Sequence, residues 1–391
     1  MSTMQDQPLA GKRVLELGGY LAAPYAGNLL SQLGAEVIKL EPPLGDPTRT
    51  MVKGGPGGTF IAYSHGKRSL CLDLSNEAGK AVLRKLMPTV DIVVHNLSPQ
   101  SMRKLGVDAA TFHSANPRLV YCHIKGYGVG PREEEIASNP IIEAATGAMY
   151  ANMVGGRPTR LGPSYQDMFA GMNAVIGILG AIVTGRDRPI VEIGLYETGL
   201  HVAARDLVAA ESAKAGRGSH YGEFAHPGYG AYRTRDERWM YLLLLSDVHW
   251  SKFSEMANLP EGSDPTLRTR GQRQAQGARV EAAVQAAVAA MSYDELAARM
   301  QAAGLGFTEV LAQENVLDDV QARQPGKVSQ VGYMGNNYQV AGFPLSQAPA
   351  KSTAPLLGEQ SVEIAMSLGY SRAECEAMLV SGAMLQPRNG S

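Results

Sequence analysis

Residues 13–40 read RVLELGGYLAAPYAGNLLSQLGAEVIKL. Arg13 to Leu17 is a short apolar run of strand type, closed by a GGY turn. Ala23 to Leu33 carries apolar residues at helical spacing, and Glu36 to Leu40 returns to a strand. Strand, helix and strand in one short stretch make a βαβ unit, whose two strands lie parallel because the helical crossover brings the chain back to the same end of the sheet.

The alternation continues outward. Ser69 to Leu72 reads as a strand, Asn76 to Met87 as a helix, and Asp91 to Val94 and Leu119 to Ile124 as further strands. Strands alternating with helices predict a doubly wound, Rossmann-like α/β sheet. A long apolar helix is predicted from Asp167 to Thr184, then a strand at Ile190 to Ile193 and a helix from Leu195 to about Ala215. AKAGRGSHYGEFAHPGYG at 213–230 has the glycine-rich, polar texture of a linker or mobile loop. Beyond it, YGAYRT, RWMYLLLL and the alanine-rich stretches Gln274 to Ala290 and Tyr293 to Ala303 predict a smaller α+β domain. GYMGNNYQVAGFPL reads as loop before a closing helix near Ser361 to Leu368.

Composition narrows the function classes. Over 391 residues, Lys+Arg 36 against Asp+Glu 37 leaves a net charge of −1. Such a balance supplies no global field to hold nucleic acid or an anionic membrane, so any anion site must be local. Cys71, Cys122 and Cys375 are odd in number and far apart, which makes neither a disulfide framework nor a metal knuckle. Met1 to Gln7 lacks the apolar core of a signal peptide, and the expectation is a cytoplasmic protein. The uncharged stretch Met168 to Thr184 reaches only the lower limit for a bilayer span and is expected as a buried core helix.

Missing motifs decide as much. The first βα turn, LELGGYLAAP, is not G-x-G-x-x-G, so a dinucleotide pyrophosphate has no usual seat there. No Walker loop, H-E-x-x-H or G-x-S-x-G occurs. What remains is an acid, Asp167, at the front of a helix rich in glycine and alanine. The helix N-terminus there favours a carboxylate, and the small residues let a bulky ligand approach. The competing reading is a first-turn capping residue. Arg49, Lys67, Arg68, Arg103 and Lys104 flank strand ends and could hold a phosphorylated ligand in the crevice that open α/β sheets form there.

The ordered set RVLELG, AAP, LGAEVIKLEPPLGDPTR, HGKRSLCLDL, DIVVHNLSPQSMRKLG, NPRLVYCHIKGYG, Asp167 before MFAGMNAVIGILGA, then HPGYGAYRTRDERWMYL and APLLGE resembles the class III coenzyme A transferases. That superfamily includes the α-methylacyl-CoA racemases, and the likeness spans nearly the whole chain. The resemblance implies an interlocked homodimer, with a heteromer as the alternative. It implies a CoA-binding large domain at 1–215, a linker and small domain at 216–320, and a segment at 321–391 that returns to the large domain. No permanently bound cofactor and no metal are expected; a coenzyme A thioester is a substrate, with an acyl-CoA donor and a carboxylic acid acceptor.

By the same resemblance Asp167 is the nucleophile, forming a mixed anhydride and then an aspartyl-CoA thioester. CoA is implied along Tyr20, Leu21 and Ala22, then Leu72, then Asn96, Leu97 and Ser98, and Lys104 with Leu105, with Lys125 as an added contact. Leu21 and Pro140 stand where oxalate-handling members carry a glutamine and a glutamate, which favours a larger or less polar acid than oxalate. Residues 216–222 or the HPGYG turn are candidate covers over the reactive anhydride. A racemase would need a histidine as second base where this chain has Ala137, Ser138 and Asn139, and neither Ser nor Asn holds a proton reversibly near neutrality. His123 and His201 are distant substitutes. An inactive CoA-binding subunit is the non-enzymatic alternative.

Overall fold

The computed structural model describes residues 7–53, 57–217, 226–345 and 353–387. Its main sheet contains β1 (Arg13–Leu17), β2 (Glu36–Glu41), β3 (Arg68–Leu72), β4 (Ile92–His95), β5 (Val120–Lys125), β6 (Ile190–Gly194) and β7 (Met384–Leu385). The order is β7-β3-β2-β1-β4-β5-β6, parallel except for β7, which pairs antiparallel with β3 at the edge. From β1 the chain builds outward through β2 and β3, then crosses back to β4 and builds the other way. The crevice of such a sheet lies beyond the carboxyl ends of β1 and β4, where the order reverses.

Alternation along each strand supplies two cores. Leu15, Leu17, Ile38, Leu40 and Val93 face one side, under α2 (Glu77–Leu86) and the C-terminal residues Ile364, Cys375 and Met378. Val14, Val37, Ile92 and Val94 face the other, under α1 (Ala22–Gln32) and α5 (Tyr165–Thr184). Two shorter helices complete the frame of the site, α3 (Pro99–Leu105) and α4 (Asn139–Ala145).

α5 packs on α1 through Ala170, Ala174 and Ile178 against Ala22, Ala26 and Leu30. A Cβ on Gly171 would stand 2.9 Å from Tyr25 Cδ1 and 3.0 Å from the Ala22 carbonyl oxygen, so the absence of a side chain sets the approach. Only one face of α5 is buried, contrary to the sequence expectation of a buried core helix. Ile176 is 66% and Val183 86% exposed, because none of the described residues covers the opposite face. α5 is also long and apolar enough to cross a membrane by length and composition alone.

The chain forms two compact units, 7–204 with 323–387 and 205–322 within the described residues. The second unit has a three-stranded antiparallel sheet, Phe307–Glu309, Trp239–Leu243 and Tyr229–Arg233, closed by a core of Tyr232, Met240, Trp250, Phe253, Val284 and Leu296. Several boundaries differ from the sequence reading. The helix expected from Leu195 is two, Leu195–Val202 and Ala204–Lys214, and that from Gln274 is Arg270–Ala275 followed by Gly277–Ala289. The stretch read as loop contains an antiparallel hairpin, Val328–Tyr333 with Asn336–Ala341, and a further helix spans Arg372–Ser381.

Candidate active site

The turn after β1 is held rather than loose. Gly18 has φ +106 and Tyr20 φ +62, a left-handed conformation that a tyrosine adopts only where its surroundings fix it. Asn96, just past β4, fixes it from across the crevice: its Oδ1 accepts from the Gly19 N–H at 3.2 Å and its Nδ2 donates to the Gly19 carbonyl at 2.8 Å. A Cβ on Gly18 would overlap Asn96 Oδ1, which is why glycine stands there.

Beneath the turn lies a buried charge network. Glu16 and Lys39 are directly opposite in the β1–β2 register and pair at 2.9 Å. Lys67 reaches the other Glu16 oxygen at 2.5 Å and donates to the Pro24 carbonyl of α1 at 2.7 Å. Lys39 also pairs with Asp46 at 2.7 Å, and Asp46 Oδ1 accepts from the Tyr20 N–H at 3.4 Å. Burial alone would pull Lys39 down, but Glu16, Asp46 and Glu41 hold it above its ordinary value. Burial pulls Lys67 down to about 8 against the pull of Glu16.

The basic residues read as phosphate holders are mostly committed elsewhere. Lys67 is buried as described; Arg49 makes 2.7 Å contacts with Glu41 through Nε and Nη2 and donates to Tyr333 Oη at 3.1 Å. Arg68 pairs with Glu36 and Glu363, and Arg103 with Glu134. Lys104, on α3, is exposed and makes no ion pair among the described residues.

Of the remaining candidates, Tyr20 is 58% exposed at the crevice, Leu21 precedes α1 and Ala22 opens it. Ser98 caps α3 by accepting from the Ser101 N–H at 3.2 Å, and Leu97 follows Asn96 directly. The Leu72 side chain lies in the core, so only its backbone can face a ligand. Leu105 is half-buried against the same core. Lys125 is buried between Glu133 at 2.8 Å and Glu192 at 3.2 Å. Burial works against its charge, but the two carboxylates outweigh it and hold Lys125 above its ordinary value.

Asp167 occupies the first turn of α5 and is half-buried. Its carboxylate does not cap the helix and makes no hydrogen bond among the described residues, unlike the capping role the sequence left open. The cap comes from α4: Asn139 Oδ1 accepts from the Gln166 N–H at 2.9 Å and the Asp167 N–H at 3.4 Å. Burial pushes Asp167 up to about 6; Arg160 pulls it down and Glu143 pushes it further up. The sequence expectation that the helix end favours the carboxylate is therefore outweighed by desolvation. Such a group is mostly ionised at neutral pH yet poorly solvated, which suits a nucleophile.

Asn139, Glu143 and Gln166 were not singled out as site residues by the sequence. Gln166 is buried with Oε1 unpartnered among the described residues. The expected covers fare differently. Within 216–222, residues 218–222 lie outside the described residues. The HPGYG turn is pinned in the second unit, where Gly228 donates to Tyr232 Oη at 2.8 Å and accepts from the Leu244 N–H at 3.1 Å. His123 donates through Nε2 to the Leu97 carbonyl at 3.0 Å and stacks on His95, and His201 is exposed.

A family model for CoA-transferase family III matches residues 9–361. The succinyl-CoA–L-malate CoA-transferase alpha subunit of Chloroflexus aurantiacus is 30% identical over 283 residues, 68% of this chain; the match spans only 65% of that subunit's length. The succinyl-CoA–D-citramalate CoA-transferase of the same organism is 29% identical over 334 residues, covering 81% of this chain and 82% of its own. A CAIB/BAIF family protein from Brucella suis superposes with a TM-score of 0.80 at 28% identity, over 93% of this chain and 100% of that one.

Proposed function

The chain belongs to CoA-transferase family III, and from that membership we propose that it moves coenzyme A from a donor acyl-CoA, succinyl-CoA, to an organic (di)carboxylic acid, with Asp167 as nucleophile. The observation that carries this reading is the Asp167 carboxylate: half-buried, free of side-chain hydrogen bonds among the described residues, and pushed up to about 6 by burial. Succinyl-CoA as donor is supported by its place in the names of two relatives.

Asp167 attacks the donor thioester carbonyl, forming a mixed anhydride and releasing CoA thiolate. The thiolate attacks the Asp167 carbonyl of the anhydride, giving an aspartyl-CoA thioester and freeing the donor carboxylate. The acceptor carboxylate then attacks that thioester, and the returning thiolate takes the acceptor acyl group and regenerates Asp167. Water must be kept from the anhydride for the thioester energy to be conserved.

In this reading CoA lies along the crevice held by Tyr20, Leu21, Ala22, Asn96, Leu97 and Ser98, with the Leu72 backbone, Leu105 and the exposed Lys104 ammonium completing the contact. Lys125 is left out, because two carboxylates already hold it. Leu21 and Pro140 make the acyl site less polar than an oxalate site. The uncovered apolar face of α5, at Ile176 and Val183, is consistent with a homodimer, and three buried free thiols with a reducing cytoplasm.

Intact-mass spectrometry after incubation with succinyl-CoA tests the proposal, with wild type beside Asp167→Ala. A CoA-sized adduct in wild type, absent from the variant and discharged by carboxylic acids, is the expected result. No adduct with any acyl-CoA, alongside solvent deuterium entering a 2-methylacyl-CoA, would overturn the transferase reading in favour of a racemase.

A further inference from the structure

We infer that Glu143, acting through Asn139, is a positioning residue for Asp167, an inference that rests on the nucleophilic role proposed above. The orientation of Asn139 is fixed by chemistry. Backbone N–H groups only donate, so the atom facing Gln166 and Asp167 is the amide oxygen, and the amide nitrogen is turned to Glu143. The second Glu143 oxygen accepts from the Leu161 N–H at 3.2 Å.

One carboxylate therefore ties together three pieces of chain: α4, the segment that leads into α5, and, by way of Asn139, the first turn of α5 itself. Glu143 is fully buried and has no cation paired with it among the described residues. A buried carboxylate without a counter-ion is costly to keep, and an apolar residue there would leave fewer polar groups to satisfy. Its two acceptor bonds give it a purpose: Ser164, which precedes α5, makes no side-chain cap, so the direction of the Asp167 turn depends on the Asn139 amide, which depends on Glu143. Near-attack geometry is where such a dependence counts, since misplacing a reacting group by about 1 Å costs on the order of a hundredfold in rate.

The test is an exchange of the two groups. Asn139→Asp sets two carboxylates face to face; Glu143→Gln leaves one N–H opposed to another N–H whichever way its amide turns. In the double variant the new carboxylate at position 139 again accepts from the two backbone N–H groups. The new amide at position 143 donates to it and accepts from Leu161, so every bond is restored with the same net charge. Adduct formation is followed by mass spectrometry, normalised to the folded fraction, together with kcat and the donor KM. Each single variant is expected to lower the rate about ten- to a hundredfold with donor KM unchanged, and the exchange to restore it to within about threefold of wild type. If the folded single variants react at the wild-type rate, or the exchanged variant folds and stays slow, the inference is overturned. Should the single variants fail to fold, the exchanged variant alone decides. Absence of an adduct in wild type would instead mark failure of the underlying reading.

Discussion

Two groups of buried charge lie within this fold, one under the β1 turn and one at the start of α5, and they are built on opposite plans. Under the turn every charge is answered: Glu16 carries Lys39 on one oxygen and Lys67 on the other, and Asp46 completes the shell around Lys39. At α5 the Asp167 carboxylate has no hydrogen bond among the described residues, a like charge in Glu143 and an exposed Arg160 that makes no ion pair among them. Neutralised charge holds shape, and charge left unsatisfied is available to react. The pairing under the turn is structural, whereas the Asp167 carboxylate, unpaired among the described residues, is what the nucleophilic role proposed above requires.

Breaking the saturated group should have the largest effect on the molecule. Glu16→Gln strips Lys67 of its one ion-pair partner among the described residues and leaves Lys39 with Asp46 alone, and the expected loss is about 3–5 kcal/mol of stability, read as a fall in denaturant midpoint. A midpoint within error of wild type would mean that water reaches the network.

Neutralising the unsatisfied group should act in the opposite direction. Asp167 has a folded pKa of about 6 against an ordinary value of 3.8. An acid raised in the folded state binds its proton more tightly there, so its ionisation erodes stability as pH climbs through that window and the full cost is present above it. Asp167→Asn should therefore be inactive yet more stable than wild type at pH 7.5, on the order of 1–2 kcal/mol, with the gap closing below pH 4. Melting curves at both pH values check this, and a gap independent of pH would contradict it.

The smallest effect sharpens the contrast. Arg160 pulls Asp167 down, so in Arg160→Met the acid limb of adduct formation should move to higher pH by a fraction of a unit, measured as adduct rate against pH in wild type and variant. A limb that stays in place would remove Arg160 from the electrostatics of the site.

Much of this arrangement was legible in the sequence. The strands around β1 and the position of Asp167 follow from local pattern, because each depends on side-chain spacing within a few residues. The hairpin at Val328–Tyr333 and Asn336–Ala341 did not, since its two-residue turn places Met334 at φ +48 and Gly335 at φ +75. Only the glycine advertises that geometry, and methionine is rare in it. Lys67 and Arg49 read as ligands for phosphate because a single chain does not say which carboxylate lies across a strand; the register that sets Lys39 opposite Glu16 answers the question for the network Lys67 joins. The capping role of Asn139 escaped for a related reason, its partners being backbone N–H groups of which the nearer lies 27 residues away, a bond that leaves no mark in residue type.

The contact at Gly171 has a consequence for how such a protein can diversify. The spacing between the helix that opens at the β1 turn and the helix that carries Asp167 is gauged by the Tyr25 ring and by main-chain atoms, the Ala22 carbonyl among them. Most side-chain replacements elsewhere leave that gauge unaltered. If Asp167 is the nucleophile proposed above, a change of acid specificity made in the surrounding loops would leave the interval between the β1 turn and Asp167 as it is.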